Sequence, residues 1–414
     1  MRRTDQEGHG PVRYGPSLPG HGLPLPAGLS AALADAADHD GAESGGVPGL
    51  PAAACGYFER RGLPARPDAV AAAPGAPTLL LAVTAALGGD VLVPRPCAAW
   101  WVPQVRALGR SVFHVATPAE CGGVPDSYAL LETVRRIRAE GGDPRLLALA
   151  VADDPTATVA PPELVHEIVE AAAGEGLHVV SDETWRDTVH RPHDTVLFSP
   201  AEMLPERVTV VTDLAGPFLP TSWPAAVARF PATADGAGLR ARVLDVLTAL
   251  DARVADPVAA AAVYALDEPP EVTQRLAAGV ALHARVAAAV HRTVLTAGAF
   301  ARPPLAGRHL YADLGPLRSA LGAHGVGDAQ ELEDFLTARL GMPVPGGHRF
   351  GDDLAELRVR LSTGPFLGTT AEERIQSLLS PAPLELPHVQ RALNHLGSVL
   401  DDLRDDAGRW EPPR

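Results

Sequence analysis

The chain has 414 residues, and its 35 basic residues are all arginine, set against 50 aspartates and glutamates for a formal net charge of -15. An acidic chain with no basic tract repels phosphate backbones and anionic lipid, which argues against nucleic acid and membrane surfaces as partners. The same reading excludes one piece of chemistry outright: with no lysine anywhere, the chain cannot form a lysine Schiff base.

This length predicts two or three lobes, because single cores stop growing at roughly 250–300 residues. The opening segment lacks the apolar core of a signal peptide, and no apolar run reaches membrane-spanning length. Cys55, Cys97 and Cys121 are odd in number and not spaced as metal ligands, so reduced, structural thiols in a cytoplasmic setting are expected.

Residues 1–25 are rich in Pro, Gly and His and predict an extended arm, followed by a short helix over 27–37 and a Gly/Pro-rich loop over 41–51. Short apolar runs then predict strands at 69–73, 91–94, 111–115, 146–152, 177–181, 208–212 and 225–230. Helical patterns lie between them at 76–87, 98–108, 128–140 and 162–174. Alternation of this kind predicts a mainly parallel sheet covered by helices on both faces. Beyond Phe230 long helices are expected over 236–254 and 271–297. An α+β tail follows, with strands at 309–313 and 357–361 and helices at 329–340, 370–379 and 387–403. The expected division is an arm and part of a small domain (1–50), a large α/β domain (51–265) and a C-terminal small domain (266–414).

Ligands of open α/β sheets bind at the carboxyl ends of the strands. The first strand ends in Pro74-Gly75-Ala76-Pro77 at a helix start, where free N–H groups can hold an anion. The fourth ends in Asp153-Asp154-Pro155-Thr156-Ala157-Thr158-Val159, and the fifth runs into Asp182-Glu183-Thr184-Trp185-Arg186. Two acidic clusters at adjacent strand ends exceed what a turn requires, although each alone could be a helix cap or a solvated loop. His190 and His193 have a metal-compatible spacing on a Pro-containing loop, where solvated histidines are the simpler reading. His178 is placed to orient Asp182 or to sit satisfied in the core.

Taken in order, these segments resemble the class I/II aminotransferases, fold type I enzymes that use pyridoxal phosphate (PLP). Gly88-Gly89-Asp90-Val91-Leu92-Val93-Pro94-Arg95-Pro96 is similar to the family's "GDeVlvPxP", and Asp154-Pro155-Thr156-Ala157-Thr158-Val159 stands where the family has "NPTGtv". Ser181-Asp182-Glu183-Thr184-Trp185 resembles "sDExY", and Leu357-Arg358-Val359-Arg360-Leu361-Ser362 the closing "vRls". The resemblance implies a seven-stranded large domain, a smaller α+β domain and a homodimer.

Carried over residue by residue, it implies that Asp182 stands where an aspartate pairs with the pyridine nitrogen, that Arg360 is the substrate-carboxylate clamp, and that Gly75 and Ala76 face the phosphate. Other positions depart. Asp154 replaces the asparagine at the cofactor's ring oxygen, and Trp185 replaces the tyrosine. The stacking aromatic falls at Ala98, with Trp100 or Trp101 as substitutes. The segment that carries the lysine aligns with Asp213-Leu214-Ala215-Gly216 and Ser222-Trp223-Pro224. Gly216 then stands for the lysine, Asp213 for the phosphate-binding serine and Pro224 for the phosphate-binding arginine. A phosphate monoester carries roughly -1.5 to -2 charges, so Asp213 would repel it.

The resulting expectation is a non-canonical or inactive aminotransferase homologue that binds a small amino-acid-like carboxylate. Two readings stand beside it. One is an enzyme of altered chemistry in the same cleft, using non-covalent PLP or acid–base aspartates (Asp154, Asp182, Asp213). The other is a regulatory or interaction protein on the same scaffold.

Overall fold

The computed structural model describes residues 12–15, 22–38 and 49–407. Helices α1 (Ala27–Asp38) and α2 (Gly49–Glu59) lead into β1 (Val70–Ala73), after which strands and helices alternate. These are α3 (Ala76–Leu87), β2 (Asp90–Arg95), α4 (Trp101–Ala107), β3 (Val112–Ala116), α5 (Ser127–Ala139) and β4 (Pro144–Ala150). Then come α6 (Pro162–Gly174), β5 (His178–Asp182), the short α7 (Pro200–Met203), β6 (Val208–Asp213) and β7 (Ala226–Arg229).

The seven strands form one sheet in the order β1-β7-β6-β5-β4-β2-β3. Every neighbouring pair is parallel except the two that β7 makes with β1 and β6. Side chains alternate across a strand, and both faces here are apolar. Leu147 and Leu149 of β4 enter one core with α5 and α6, while Leu146, Ala148 and Ala150 enter the opposite core with α3 and α8 (Ala234–Ala249). A strand buried on both sides has to read as a continuous apolar run, and this one does.

Helices α9 (Asp256–Leu266) and α10 (Pro270–Thr296) follow α8. The remainder comprises β8 (Phe300–Ala301), β9 (His309–Asp313), α11 (Arg318–Ala323), α12 (Ala329–Leu340), β10 (Arg358–Ser362), α13 (Ala371–Leu379) and α14 (Pro387–Ala407). The antiparallel sheet β10-β9-β8 has its own core, to which α10 gives Val286 and Val290 and α14 gives Leu396 and Leu400.

Most expected elements coincide with observed ones, and the differences have physical reasons. Residues 49–51 of the expected loop open α2 instead, because proline is tolerated in a first helical turn; residues 41–48 lie outside the described residues. The expected helix over 236–254 stops at Ala249. The unexpected α9 follows, an alanine-rich helix packed against α1 and α2 whose apolar residues show no single face.

Candidate functional site

The ends of β4, β5 and β6 open onto a cavity of about 670 Å³, closed on its other sides by the 22–26 segment, α10 and the ends of β9 and β10. Strand pairing places Asp182 and Asp213 on neighbouring strands, and Thr184 couples them. Its backbone N–H donates to Asp182 Oδ1 at 3.0 Å, and its hydroxyl accepts from the Asp213 N–H at 3.0 Å. Burial is the main cause that pushes both carboxyls up to about 6, and at Asp182 the neighbouring Asp213 and Asp154 charges add to it.

Asp213 fills the position where an anion was expected from outside. Gly75, at φ 95, turns the chain from β1 into α3 in a conformation that favours glycine. Asp213 Oδ2 accepts the Ala76 N–H at 2.8 Å, and Oδ1 accepts the Ala215 N–H at 2.9 Å. An intramolecular carboxylate therefore caps the helix start, where unsatisfied N–H groups and the dipole favour negative charge. Asp213 lines the cavity, whereas Gly75 and Ala76 do not. Gly216 lies in the left-handed region at φ 114, and an added Cβ there would lie 3.5 Å from the Trp185 ring. Pro224 is exposed and does not line the cavity.

Arg360, the carboxylate clamp expected from the resemblance, lines the cavity and is paired within the chain. Its Nη1 donates to Asp154 Oδ1 at 2.7 Å, and its guanidinium lies 4.8 Å from the centre of the Phe350 ring. Arg360 and, to a lesser degree, His309 hold the Asp154 carboxyl below its ordinary range despite burial. The substitution that puts aspartate at position 154 thus supplies an internal counter-ion for the arginine 206 positions along the chain.

The other candidates separate. Asp153 is buried and folds onto Thr156, with burial raising its carboxyl to about 7. Glu183 turns to Ser181 and Arg186 rather than to the cavity. His178 does not orient Asp182; its Nε2 pairs with the Thr209 hydroxyl at 2.8 Å. Both ring nitrogens of His190 face backbone carbonyls, of Pro304 and Gly307. Trp100 lines the cavity, while Trp101 and Ala98 are buried in the core beneath it.

Four charged or imidazole-bearing cavity residues were not foreseen: Arg275 and His283 on α10, Arg308 just before β9, and His309 at its start. Burial lowers both arginines to about 10, and Arg275 adds to the effect on Arg308. One arginine among 35 carries no sequence signal, and these four converge only when α10 and β9 meet.

Residues 16–215 match the sequence model of the family described as aminotransferase class I and II. A probable aspartate/prephenate aminotransferase of Thermus aquaticus and the aspartate/prephenate aminotransferase of Thermus thermophilus are each 31% identical over 184 residues. Those matches cover 43% of this chain and 45% of each relative, so the chain spans about half the length of the curated relatives it matches. In structure, a tetra mutant of the aspartate aminotransferase of Thermus thermophilus superposes with a TM-score of 0.72 at 22% identity, over 92% of this chain and 95% of the other. An aromatic aminotransferase of Pyrococcus horikoshii gives 0.72 at 19% identity, over 94% and 95%. The fold is that of the fold type I aminotransferases, and residues 16–215 are similar in sequence to the class I and II family.

Proposed function

We propose that this chain is a member of the class I and II aminotransferase family that binds a small amino-acid-like carboxylate in its cleft and does not carry out lysine-dependent transamination. The observation that carries the reading is Asp213, whose carboxylate takes the α3 N–H group and stands between that helix start and the cavity. With glycine at the lysine position and no lysine in the chain, the residues do not fit covalently held PLP. A phosphate brought to α3 would also meet a like charge; at 4 Å and an effective dielectric of 20, two unit charges repel by about 4 kcal/mol.

The cleft suits a zwitterion. Asp182 and Asp213 line it, and so do Arg275 and Arg308. An amine placed near the first pair would be drawn to two carboxylates whose burial otherwise disfavours their charge. Arg360 reaches a ligand only by giving up Asp154.

Thermal-shift screening of amino acids, amines and phosphorylated metabolites tests the reading. Stabilisation by compounds with a carboxylate and an amine is expected. Stabilisation by PLP or other phosphate esters alone would return the cleft to cofactor binding.

A further inference from the structure

The charged groups of the cleft differ in whether they are already matched. Arg360 has Asp154, and the α3 start has Asp213. Arg275 donates through Nε to the Pro24 carbonyl at 2.7 Å, and the Arg308 guanidinium lies 5.8 Å from the centre of the Trp185 ring. Among the described residues, neither arginine has an ion pair with a carboxylate. Two guanidinium groups facing one cavity with no anion between them repel each other, and an anionic ligand relieves that repulsion.

Beside them sits His283, 3% exposed, with no hydrogen-bond partner for Nε2 among the described residues. Its tautomer follows from Thr363. The single hydroxyl proton of Thr363 lies toward the Arg308 carbonyl, since that 2.9 Å contact between oxygens is attractive only with a proton between them. The hydroxyl oxygen must then accept from His283 Nδ1 at 2.7 Å. A neutral ring with its proton on Nδ1 leaves Nε2 as a bare acceptor.

We propose that Arg275 and Arg308 hold the carboxylate end of the ligand while His283 Nε2 accepts a hydrogen bond from a hydroxyl or amine on it. The ligand class is therefore a small hydroxy or amino acid, anchored on cations other than Arg360. This rests on the cleft being a ligand site, as proposed above, and adds which residues select the ligand.

Calorimetric titration with succinate, malate and aspartate tests it, because the three share two carboxylates and differ in the donor. Wild type should bind malate or aspartate more tightly than succinate. Arg308→Gln or Arg275→Gln should weaken all three roughly ten- to a hundredfold, the effect of losing a charge-assisted hydrogen bond. His283→Phe should abolish the preference over succinate while leaving succinate affinity within about threefold. The neutralised pair Asp154→Asn/Arg360→Gln should leave all three affinities near wild type.

Should a variant fail to fold, arginine modification of the wild type by phenylglyoxal, mapped by mass spectrometry, gives the same answer. Succinate should protect Arg275 and Arg308. Unchanged affinity in the Arg308 and Arg275 variants, or no protection of either residue, overturns the assignment but leaves the cleft as a ligand site. Failure of the wild type to bind any of the three overturns both.

Discussion

Asp182 and Asp213 pay for their burial at neutral pH. A carboxyl whose folded pKa is raised binds protons more readily folded than unfolded, so the stability it permits is greatest at low pH and falls as pH rises from about 4 to about 6. Asp182 is raised to about 6. Asp182→Asn keeps an oxygen for the Thr184 N–H and removes the charge, so the variant should gain on wild type by on the order of 1 kcal/mol between pH 5 and pH 7. Parallel chemical melts at the two pH values check this; a constant difference would mean that Asp182 titrates normally.

The pairing of Arg360 with Asp154 bears on stability. Arg360→Ala should destabilise the fold by roughly 3 kcal/mol, because it strands a buried carboxylate, and adding Asp154→Ala should restore most of that. If the single variant melts like wild type, the pair contributes nothing. At this scale the motifs located Asp154, Asp182 and Arg360, but the ion pair between the first and last depends on β10 meeting the end of β4, which spacing does not reveal.

Among the elements, α3 carries the clearest consequence. Its first N–H groups lack intrahelical partners, and Asp213 reaches across from β6 to accept one of them. Asp213→Ala should therefore cost about 1 kcal/mol, as loss of a helix cap does. Gly216→Lys alone should not confer transamination, because Asp213 still occupies the helix start and Pro224 supplies no positive charge. Adding Asp213→Ser should strengthen PLP binding measurably, and robust activity in the single variant would show that the charge of the pocket was misjudged. All seven strands of the large sheet were legible because each is an apolar run bounded by turn residues. Helix α9 was not, since the side away from its buried alanines is also apolar (Ala260, Val263 and Tyr264) and leaves no polar face to set a period.

The whole molecule gathers its cleft from distant parts of the chain, the 22–26 segment among them. We expect a homodimer, with that segment and the long helices after Phe230 offering apolar surface for association. Sedimentation at micromolar concentration should give twice the chain mass, and monomer alone would count against it.

The family resemblance was legible because its motifs sit at strand ends, whose order the fold preserves. The ligand-facing cations were not, because α10 and β9 supply them from segments without a motif. The central claim, that this cleft takes a small carboxylate and does not take PLP through a lysine, is tested most directly by titrating purified protein with PLP and recording its visible spectrum. The expected spectrum is that of free PLP, apart from slow reaction at the N-terminal amine, and an added amino acid should change it only as it changes PLP without protein. A saturable one-to-one spectral change that an amino acid reverses would contradict it.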